Sequence, residues 1–306
     1  MTVEYSISII IATSGRVEKI RRLLDSLCRV HARDKIKHEI VIANNATSDI
    51  TAAAVESLVH EFDGKDGVRC WQVREPAAGK CRAQNKTIPK TKGNVLAFLD
   101  DDVEVTPEWL QAIDSFFNAY PHDVMQGSII MRPKDRKNEA LQKALHRYRT
   151  MDFVEYGALA GVDIKTLTGG NMAVKREVFD QAGLFDDRLG PGGHGISEDV
   201  EFAKRILTLG KRIGWQPKAA VYNELDPARL NEDAFRLRHE AQGRSRFAYK
   251  RSSIFSLVPN LMRSVWTFAW YSLVGNERKK YRAKGRFFHY RAMLQEKMKS
   301  ASGSQA

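Results

Sequence analysis

Cysteine is scarce in this sequence, and the spacing that would organise it is missing. The 306 residues include three cysteines, Cys28, Cys70 and Cys81, and no pair has Cys-x-x-Cys spacing. An odd number without such spacing argues against a disulfide framework and against a zinc site. We therefore expect the protein to work in a reducing compartment, the cytoplasm.

Two kinds of membrane-directing segment are also missing. The opening residues, MTVEYSISIIIATSGR, lack the basic region and cleavage site of a secretory signal, so we expect residues 6–12 to form a buried strand. Residues 254–274 are apolar, but Pro259, Asn260 and Arg263 interrupt them, whereas a spanning helix needs about 20 mostly apolar residues. Their aromatic side chains, next to a basic run, favour a helix lying on an anionic membrane surface. The alternative is a helix packed on the catalytic domain or on a second subunit.

Acidic residues are nearly absent from the C-terminal region. Glu296 is the only acid in residues 278–299, which carry nine lysines and arginines, and the whole chain has a formal net charge of +12. Such a balance favours polyanionic partners such as phosphorylated substrates, anionic lipids or nucleic acid. The hydrophobic content of 43% is that of an ordinary globular protein.

The first 130 residues alternate short apolar runs with helical patterns, which predicts an α/β fold with a mostly parallel sheet flanked by helices. Ligands of such sheets bind at the carboxyl ends of the strands. The expected strands are 6–12, 39–43, 68–73 and 94–99, and the loops that follow them at 13–16, 44–49 and 100–102 are site candidates. Later helices are expected at 138–156, 197–210 and 231–251.

Three adjacent aspartates, Asp100, Asp101 and Asp102, follow the fourth expected strand. Carboxylates crowded in this way repel one another, and a hard divalent cation relieves the repulsion by accepting their oxygens. Residues two apart on an extended segment point the same way, so Asp100 and Asp102 can share a face. The alternative is a solvated acidic turn.

Three further groups are weaker candidates. Glu198 and Asp199 open a helix, where acids are common for electrostatic reasons alone, but one of them could also act as a base. Gly169-Gly170-Asn171 offers unhindered amides for a sugar or phosphate, or forms a plain turn. Lys80 and Arg82 begin a helix and could contact phosphate, or could face solvent.

Taken together, these segments resemble the family 2 glycosyltransferases of the GT-A fold. Each motif is weak alone, but they occur in the family's order and spacing across residues 5–250. The matching segments are Ile9–Arg16, Glu39–Asp49, Gly79–Asn85, Asp100–Val103, Trp109-Leu110, Gly169–Val174, Phe179, Gly183–Asp186, Glu198–Phe202 and Arg205. The resemblance implies a catalytic domain over residues 1–250 and an amphipathic, basic helical extension over residues 251–306.

The resemblance also implies roles on the donor side. Thr13 and Arg16 would line the nucleotide pocket, and Asn44 stands where the family usually has an aspartate that holds the base or ribose. Asp101 would lie beside the ribose or sugar. Arg82, Arg244 and Asp100 complete the expected donor-binding set, with the two arginines on phosphate.

The implied reaction centre uses the remaining residues. Asp100 and Asp102 would hold Mn²⁺ or Mg²⁺, with Asp102 the more direct ligand. Asp199 would be the catalytic base, with Glu198 beside it. Gly170 and Asn171 would bind the acceptor. The donor would be a nucleotide-diphosphosugar and the acceptor a saccharide or lipid-linked saccharide, with an anionic membrane surface as a further partner and no nucleic acid expected.

Departures from the family pattern refine this expectation. Asn44 replaces the usual aspartate, and Asn223 stands where many relatives have a histidine near the metal. The Q-x-x-R-W motif of processive relatives is absent, and residues 242–246 echo it only loosely. We therefore expect an inverting, non-processive enzyme that adds one sugar.

Other classes of function predict different features. A dinucleotide-dependent oxidoreductase would carry G-x-G-x-x-G after the first strand, and a nucleotidyltransferase a longer, glycine-rich basic loop. Residues 13–16, Thr-Ser-Gly-Arg, are neither. A non-catalytic module that binds membrane or nucleic acid through the basic tail remains an alternative, and it predicts salt-sensitive binding without donor turnover.

Overall fold

The fold is described by a computed structural model over residues 6–31, 36–148, 150, 153–250 and 252–302. These residues form nine strands and eleven α-helices. The strands are β1 Ile7–Thr13, β2 His38–Asn44, β3 Arg69–Arg74, β4 Val95–Asp100, β5 Val103–Val105, β6 Val124–Met131, β7 Asp163–Ile164, β8 Asn171–Lys175 and β9 Ile213–Asn223. The helices are α1 Val17–His31, α2 Asp49–Phe62, α3 Lys80–Thr87, α4 Trp109–Ala119, α5 Pro133–Arg136, α6 Glu139–Tyr148, α7 Arg176–Ala182, α8 Glu198–Thr208, α9 Glu232–Tyr249, α10 Ile254–Leu273 and α11 Glu277–Ser302.

The strands form one sheet in the order β3-β2-β1-β4-β8-β6-β9-β5, with β7 paired to β9. The parallel pairs β1–β2, β1–β4, β2–β3 and β6–β9 have the longer registers. The antiparallel pairs, β4–β8, β6–β8, β5–β9 and β7–β9, are shorter. The α/β architecture with a mostly parallel sheet, expected from the sequence, is therefore confirmed.

The apolar sequence of β1 explains its central position. All seven residues of β1 are buried, as a strand covered on both faces requires. Ile9 and Ile11 lie in the cluster that also contains Leu23 and Leu27 of α1, whereas Ile10 lies in a second cluster on the other side of the sheet. The alternation of side chains along β1 thus divides the core into two layers.

Two compact units divide the chain. The first comprises Met1–Arg132, Phe153–Asp187 and Glu198–Glu224, and it contains the sheet. The second comprises Pro133–Asp152, Arg188–Ser197 and Leu225–Ala306. The domain boundary expected from the sequence, between a catalytic domain over residues 1–250 and a helical extension over residues 251–306, stays a prediction.

The second unit is built on the packing of α9 against α11. Phe235 of α9 contacts the ring of Tyr281 of α11 at a centroid distance of 5.7 Å. A Cβ on Gly243 of α9 would lie 2.3 Å from the carbonyl oxygen of His289 in α11. The two helices approach so closely at Gly243 that only glycine fits there. Burial lowers the pKa of His289 to about 4, so this histidine is neutral at physiological pH.

The predicted helix over residues 138–156 was too long. The observed helix, α6, ends at Tyr148, and residues 149, 151 and 152 lie outside the described residues. Val154 instead exchanges backbone hydrogen bonds with Ile129 of β6 at 2.9 and 3.1 Å. A β-bridge to the sheet therefore overrides the helical pattern of this segment.

The C-terminal helices follow their sequence patterns. Asn231 caps α9 by accepting a hydrogen bond from the backbone N–H of Ala234 at 2.9 Å, and Ser253 caps α10 in the same way. Residue 251, the predicted end of α9, lies outside the described residues. Among the helices described, none is both long enough and apolar enough to cross a bilayer.

Candidate active site

The carboxyl ends of three parallel strands meet at one edge of the sheet. In the register of β1 with β2, Thr13 pairs with Asn44, and in the register of β1 with β4, Ala12 pairs with Asp100. The loops that the sequence predicted as site candidates therefore begin side by side. The contacts around the acidic triplet lie at this edge.

Asp101 is the buried member of the triplet. Its side chain is fully buried and accepts a hydrogen bond from the Thr13 hydroxyl at 2.5 Å and one from Arg16 Nε at 3.1 Å. A second guanidinium nitrogen of Arg16 contacts the other carboxylate oxygen. Burial raises the pKa of Asp101, whereas the charge of Arg16 and the hydrogen bond from Thr13 act in the opposite direction. Thr13, Arg16 and Asp101 thus form one hydrogen-bonded group.

Asp102 lies closer to solvent, in a mixed network of charges. Arg16 Nη1 donates to Asp102 Oδ2 at 3.0 Å, and Lys19 Nζ lies 3.9 Å from the same oxygen. Lys19 Nζ also lies 3.2 Å from Glu224 Oε2, and Arg22 pairs with this glutamate at 3.1 Å. The cations of α1 therefore neutralise part of the acidic edge.

Lys80 joins the acidic triplet to the start of α8. Its Nζ lies 2.6 Å from Asp100 Oδ1 and 3.5 Å from Glu198 Oε1. Burial lowers the pKa of Lys80, but the carboxylates of Asp100 and Glu198 raise it by more, so the net pKa lies above the ordinary lysine value. The ammonium therefore stays charged and holds two acidic clusters together.

Asp199 is held in the first turn of α8 by backbone N–H groups. Gly169 N donates to Asp199 Oδ2 at 2.9 Å, and Val200 N donates to Asp199 Oδ1 at 2.7 Å. Burial and the charge of Glu198 raise the pKa of Asp199 to about 7. A carboxyl group with such a pKa can accept a proton at neutral pH, as a general base must.

Two glycines make room between these acidic clusters. A Cβ on Gly170 would lie 2.9 Å from Asp100 Oδ2, which is closer than real Cβ contacts. A Cβ on Gly169 would lie 3.4 Å from Lys80 Nζ and 3.8 Å from the Cβ of Asp199. The glycine pair is therefore the surface over which Lys80, Asp100 and Asp199 converge.

Asn171, predicted to bind the acceptor, has its side chain inside the framework. It is fully buried and accepts from Trp109 Nε1 at 2.9 Å while donating to the carbonyls of Ser128 and Ala219, both at 2.8 Å. These contacts favour a supporting role for Asn171. The acceptor-binding roles of Gly170 and Asn171 stay predictions.

Asn44, predicted to hold the nucleoside, is also fully buried. Its amide donates to Ala52 O at 3.2 Å and to Gln72 Oε1 at 2.8 Å, and its oxygen accepts from the Ala46 N–H at 3.1 Å. Asn44 therefore shapes the loop after β2, and its contact with the donor stays a prediction.

The two remaining donor-side arginines lie in different units. Arg82 is half exposed on α3, with its Nε 3.5 Å from Asp187 Oδ2. Arg244 belongs to α9 in the second unit. Their predicted contacts with the diphosphate stay predictions.

Sequence reasoning missed two parts of this arrangement. Lys80 was expected either to contact phosphate or to face solvent, whereas its bridge from Asp100 to Glu198 depends on residues far apart in the chain. The network of Lys19 and Glu224 was not expected at all. The sequence does contain a signal for Lys80. It is a basic residue at the start of a helix that follows a strand, a position from which it can approach the acidic strand end.

The oxygen atoms available as metal ligands at this edge are chemically suited to a hard divalent cation. Asp100 and Asp102 offer carboxylate oxygens, and Asn223 at the end of β9 pairs with Val103, the residue after Asp102. Among the described residues, the buried Oδ1 of Asn223 has no hydrogen-bond donor. Oxygen ligands of this kind suit Mg²⁺ or Mn²⁺. No group of three or more His, Cys, Asp or Glu side chains in the described part of the chain is arranged to hold a metal.

Comparison with known families gives an unambiguous match. The model of the family described as Glycosyl transferase family 2 matches residues 8–183. That range is more than half of the chain and includes β1, β2, β4, the acidic triplet and the glycine pair.

Curated relatives are distant and longer. The probable glycosyltransferase YdaM of Bacillus subtilis (strain 168) is 25% identical over 228 residues, covering 71% of this chain and 50% of YdaM. The chondroitin synthase of Escherichia coli is 22% identical over 256 residues, covering 74% of this chain and 36% of the synthase. The beta-monoglucosyldiacylglycerol synthase of Trichormus variabilis is 22% identical over 204 residues, covering 65% of this chain and 41% of the synthase. The chain thus spans half or less of the length of these relatives.

Solved structures share the fold. The mannosyltransferase PcManGT from Pyrobaculum calidifontis, in complex with GDP-Man and Mn²⁺, has a TM-score of 0.57 at 18% identity, covering 100% of this chain and 76% of that one. TarS 1-349 of S. aureus, in complex with UDP-GlcNAc, has a TM-score of 0.53 at 14% identity, covering 96% and 92%. The GT-A fold expected from the sequence is therefore confirmed.

Proposed function

This chain belongs to glycosyl transferase family 2, and on that premise we propose that it inverts the anomeric centre while moving one sugar from a nucleotide-diphosphosugar to a hydroxyl group. That it is a glycosyltransferase follows from the family and the fold, which also removes the alternative of a non-catalytic module. The observation that carries the finer proposal is the bridge of Lys80 between Asp100 and Glu198.

The bridge joins the start of α8, which carries the proposed base Asp199, to the edge where the acidic triplet lies. Asp199 follows Glu198 directly, and its carboxylate is fixed by the N–H groups of Gly169 and Val200. In this proposal Asp199 removes the proton of the acceptor hydroxyl as that oxygen attacks the sugar. A single displacement of this kind inverts the anomeric centre.

The charges at the edge fit an anionic donor only with a cation present. The ion-pair network around Asp102 and Asp100 contains five carboxylates but only four cations, which are Arg16, Lys19, Arg22 and Lys80. A diphosphate would therefore meet excess negative charge. A divalent cation bound by Asp100, Asp102 and Asn223 would supply positive charge to offset that of the leaving nucleoside diphosphate.

The cations of the chain would then position the donor. Arg16 and Lys19 already lie beside Asp102, and either can turn from a carboxylate to a phosphate oxygen, which guanidinium and ammonium groups bind well. Asp101 accepts a hydrogen bond from Arg16 Nε and so keeps the guanidinium group at this edge. Support for a nucleotide-diphosphosugar also comes from the GDP-Man and UDP-GlcNAc complexes of the structural neighbours.

The acceptor class is supported by the relatives. They include a beta-monoglucosyldiacylglycerol synthase and a poly-beta-1,6-N-acetyl-D-glucosamine synthase, so we propose a saccharide or lipid-linked acceptor. Addition of a single sugar is supported by the absence of the Q-x-x-R-W motif of processive relatives, which is echoed only loosely at residues 242–246. There, Gly243 serves the packing of α9 on α11, and Gln242 is within hydrogen-bond distance of His239.

The proposed place of action is the cytoplasm. Cys28, Cys70 and Cys81 are free and buried. Burial raises the pKa of the Cys70 thiol to about 12, which keeps it in the unreactive thiol form. These features suit a reducing compartment, where disulfides do not form.

The test is the release of nucleoside diphosphate from a panel of nucleotide sugars, with Mn²⁺, with Mg²⁺ and with chelator. We expect slow hydrolysis of at least one donor with metal, accelerated by an acceptor sugar. The anomeric configuration of the product, read by proton NMR, then tests inversion. Retention of configuration would contradict the role of Asp199 as a base in a single displacement.

A further inference from the structure

One face of α10 is apolar and turned to water. Phe255 is 91% exposed, Trp266 74% and Leu273 83%. Met262 and Trp270 are exposed as well. A run of large, exposed apolar side chains of this kind marks a binding site for a partner.

The exposed residues lie on one stripe of the helix. Residues 255, 262, 266 and 273 recur at intervals that bring them to the same side of a helix with 3.6 residues per turn. Leu257 and Ser264, which are buried, lie on the opposite side. The stripe therefore points away from the rest of the second unit, and it runs along nearly the whole of α10.

The polar residues of α10 do not compete with this surface. Asn260 Nδ2 donates to the carbonyl of Ser256 at 2.7 Å, and Ser272 Oγ donates to that of Phe268 at 2.8 Å. Thr267 Oγ1 likewise bonds the backbone of the preceding turn. Because these side chains satisfy their hydrogen bonds within the helix, they can enter a less polar medium at low cost.

Exposed cations lie on α10 and on the helix that follows it. Arg263 is exposed on α10, and at the start of α11 Arg278, Lys279, Arg282 and Arg286 are exposed too. Lys279 Nζ lies 5.2 Å from the ring centroid of Tyr271 on α10, which fixes one of these cations beside the helix.

The acid in this region is already neutralised. Glu277, the first residue of α11, pairs with Arg147 of α6 at 2.9 Å. The exposed side chains of α10 and α11 therefore combine tryptophans with an excess of cations. A protein interface would be depleted in lysine at its centre, whereas an interfacial membrane helix combines an apolar face with lysine and arginine at its border.

The geometry points to an anionic lipid bilayer as the occupant of this face: α10 lies in the plane of the headgroups, with Phe255, Met262, Trp266, Trp270 and Leu273 inserted and the cations of α11 on the lipid phosphates. Tryptophan suits the boundary between headgroups and acyl chains, and lysine and arginine are attracted to the negative surface potential. None of the residues of this surface belongs to the proposed reaction site, so the inference goes beyond the proposed function.

The test is co-flotation of the full chain with vesicles of phosphatidylcholine alone and of phosphatidylcholine mixed with phosphatidylglycerol. We expect binding to the anionic vesicles that weakens with salt, and little binding to the neutral ones. The double variant Trp266→Glu/Trp270→Glu should lower the affinity about tenfold or more. Arg278→Gln/Lys279→Gln should lower it several-fold and reduce the salt dependence.

The matched control is Leu237→Glu, which alters an exposed leucine on α9 of the same unit. It should bind anionic vesicles as the unaltered chain does. Thermal unfolding of all variants should be unchanged, because each altered side chain already faces water. Equal binding to neutral and anionic vesicles would overturn the inference. A second result would also overturn it: a dimer in solution that the tryptophan variant dissociates, with no vesicle binding by the unaltered chain or by the variant. The face would then bind a second copy of the chain.

Donor hydrolysis in the absence of vesicles separates this inference from the proposed function. The tryptophan variant should hydrolyse the donor at the unaltered rate. If the tryptophan variant loses vesicle binding but retains hydrolysis, the result supports the membrane inference whichever acceptor the enzyme uses. If the unaltered chain and every variant fail to hydrolyse the donor, the result contradicts the proposed function and leaves the vesicle-binding test unaffected.

Discussion

The ammonium of Lys80 lies 2.6 Å from the carboxylate of Asp100. Lys80 begins a helix and Asp100 ends a strand, and the contact joins a largely buried ammonium to a partly exposed carboxylate. The same ammonium lies 3.5 Å from Glu198, the residue before the proposed base. One side chain thus connects the donor side of the proposed site with the acceptor side.

Replacing Lys80 with methionine should separate the two sides. Three carboxyl groups, those of Asp100, Glu198 and Asp199, would lose their shared counter-ion, so we expect kcat to fall about a hundredfold. The charge of Lys80 also lowers the pKa of Asp199, so the pH–rate profile should move to higher pH. A purely structural role would not move that profile.

The matched control for Lys80 is Lys86→Met on the same helix. Lys86 is largely exposed and pairs with Glu75 at 3.2 Å. Exposed ion pairs contribute about 0–1 kcal/mol, so kcat and the pH profile should be unchanged. An unshifted profile in Lys80→Met would contradict the bridging role.

The raised pKa of Asp199 predicts how transfer depends on pH. As a base, Asp199 must be ionised, so kcat should rise as the pH increases through about 7 and then level off. The measurement is a pH–rate profile under saturating donor and acceptor. A rate that is constant from pH 5 to pH 9, about two units on either side of this pKa, would show that another group accepts the proton.

The free energy of unfolding should also depend on the ionisation of Asp199, but it should decrease with rising pH, whereas kcat should increase. The folded chain keeps the proton of Asp199 up to about pH 7, whereas the unfolded chain releases it near the ordinary value of 3.8. Between these values the folded state binds more protons, so this carboxyl destabilises the fold increasingly as the pH rises. In Asp199→Asn, the free energy of unfolding should decrease less over this range, which urea titrations at several pH values would measure.

Removal of metal should abolish transfer, and the loss should be specific to the triplet. Chelation is expected to lower the rate by at least about a hundredfold, with recovery on addition of Mn²⁺. Asp102→Asn should weaken Mn²⁺ binding, read directly by electron paramagnetic resonance, whereas Asp114→Asn, a half-buried residue of α4 outside the triplet, should not. Transfer that persists undiminished in chelator would contradict a metal at this edge.

The glycine pair provides a test of the geometry alone. A Cβ at residue 170 would lie 2.9 Å from Asp100 Oδ2, whereas one at residue 169 would meet nothing closer than 3.4 Å. Gly170→Ala should therefore displace Asp100 and lower kcat about tenfold, while Gly169→Ala should be tolerated. Steady-state kinetics and thermal unfolding of both variants check this, and equal behaviour of the two would mean that Asp100 has room to move.

The sequence identifies the parts of the fold that local pattern determines. The buried run of β1 and the apolar run before Asp100 carry their own signal, because a strand covered on both faces must be apolar throughout. Parallel pairing then brings the ends of β1, β2 and β4 together, so the position of the acidic triplet was predictable.

Other features depend on contacts between distant parts of the chain. Val154, in the segment predicted to be helical, instead forms a bridge to Ile129, and the buried side chain of Asn171 is bonded to Trp109, Ser128 and Ala219. No periodicity records these partners. The sequence around an asparagine does not show whether its side chain is buried or accessible. The prediction that Asn171 binds the acceptor therefore had no local evidence against it.

The most direct measurement compares donor binding and sugar transfer in Asp199→Asn. This change removes the base but keeps the shape of the side chain, so we expect donor affinity by calorimetry to be nearly unchanged while transfer falls about a hundredfold or more. Glu201→Gln on the same helix, which alters a pair with Arg205 at 2.8 Å, is the control and should transfer normally. Transfer at the unaltered rate by Asp199→Asn would contradict the account, because the hydroxyl proton would then leave by another route.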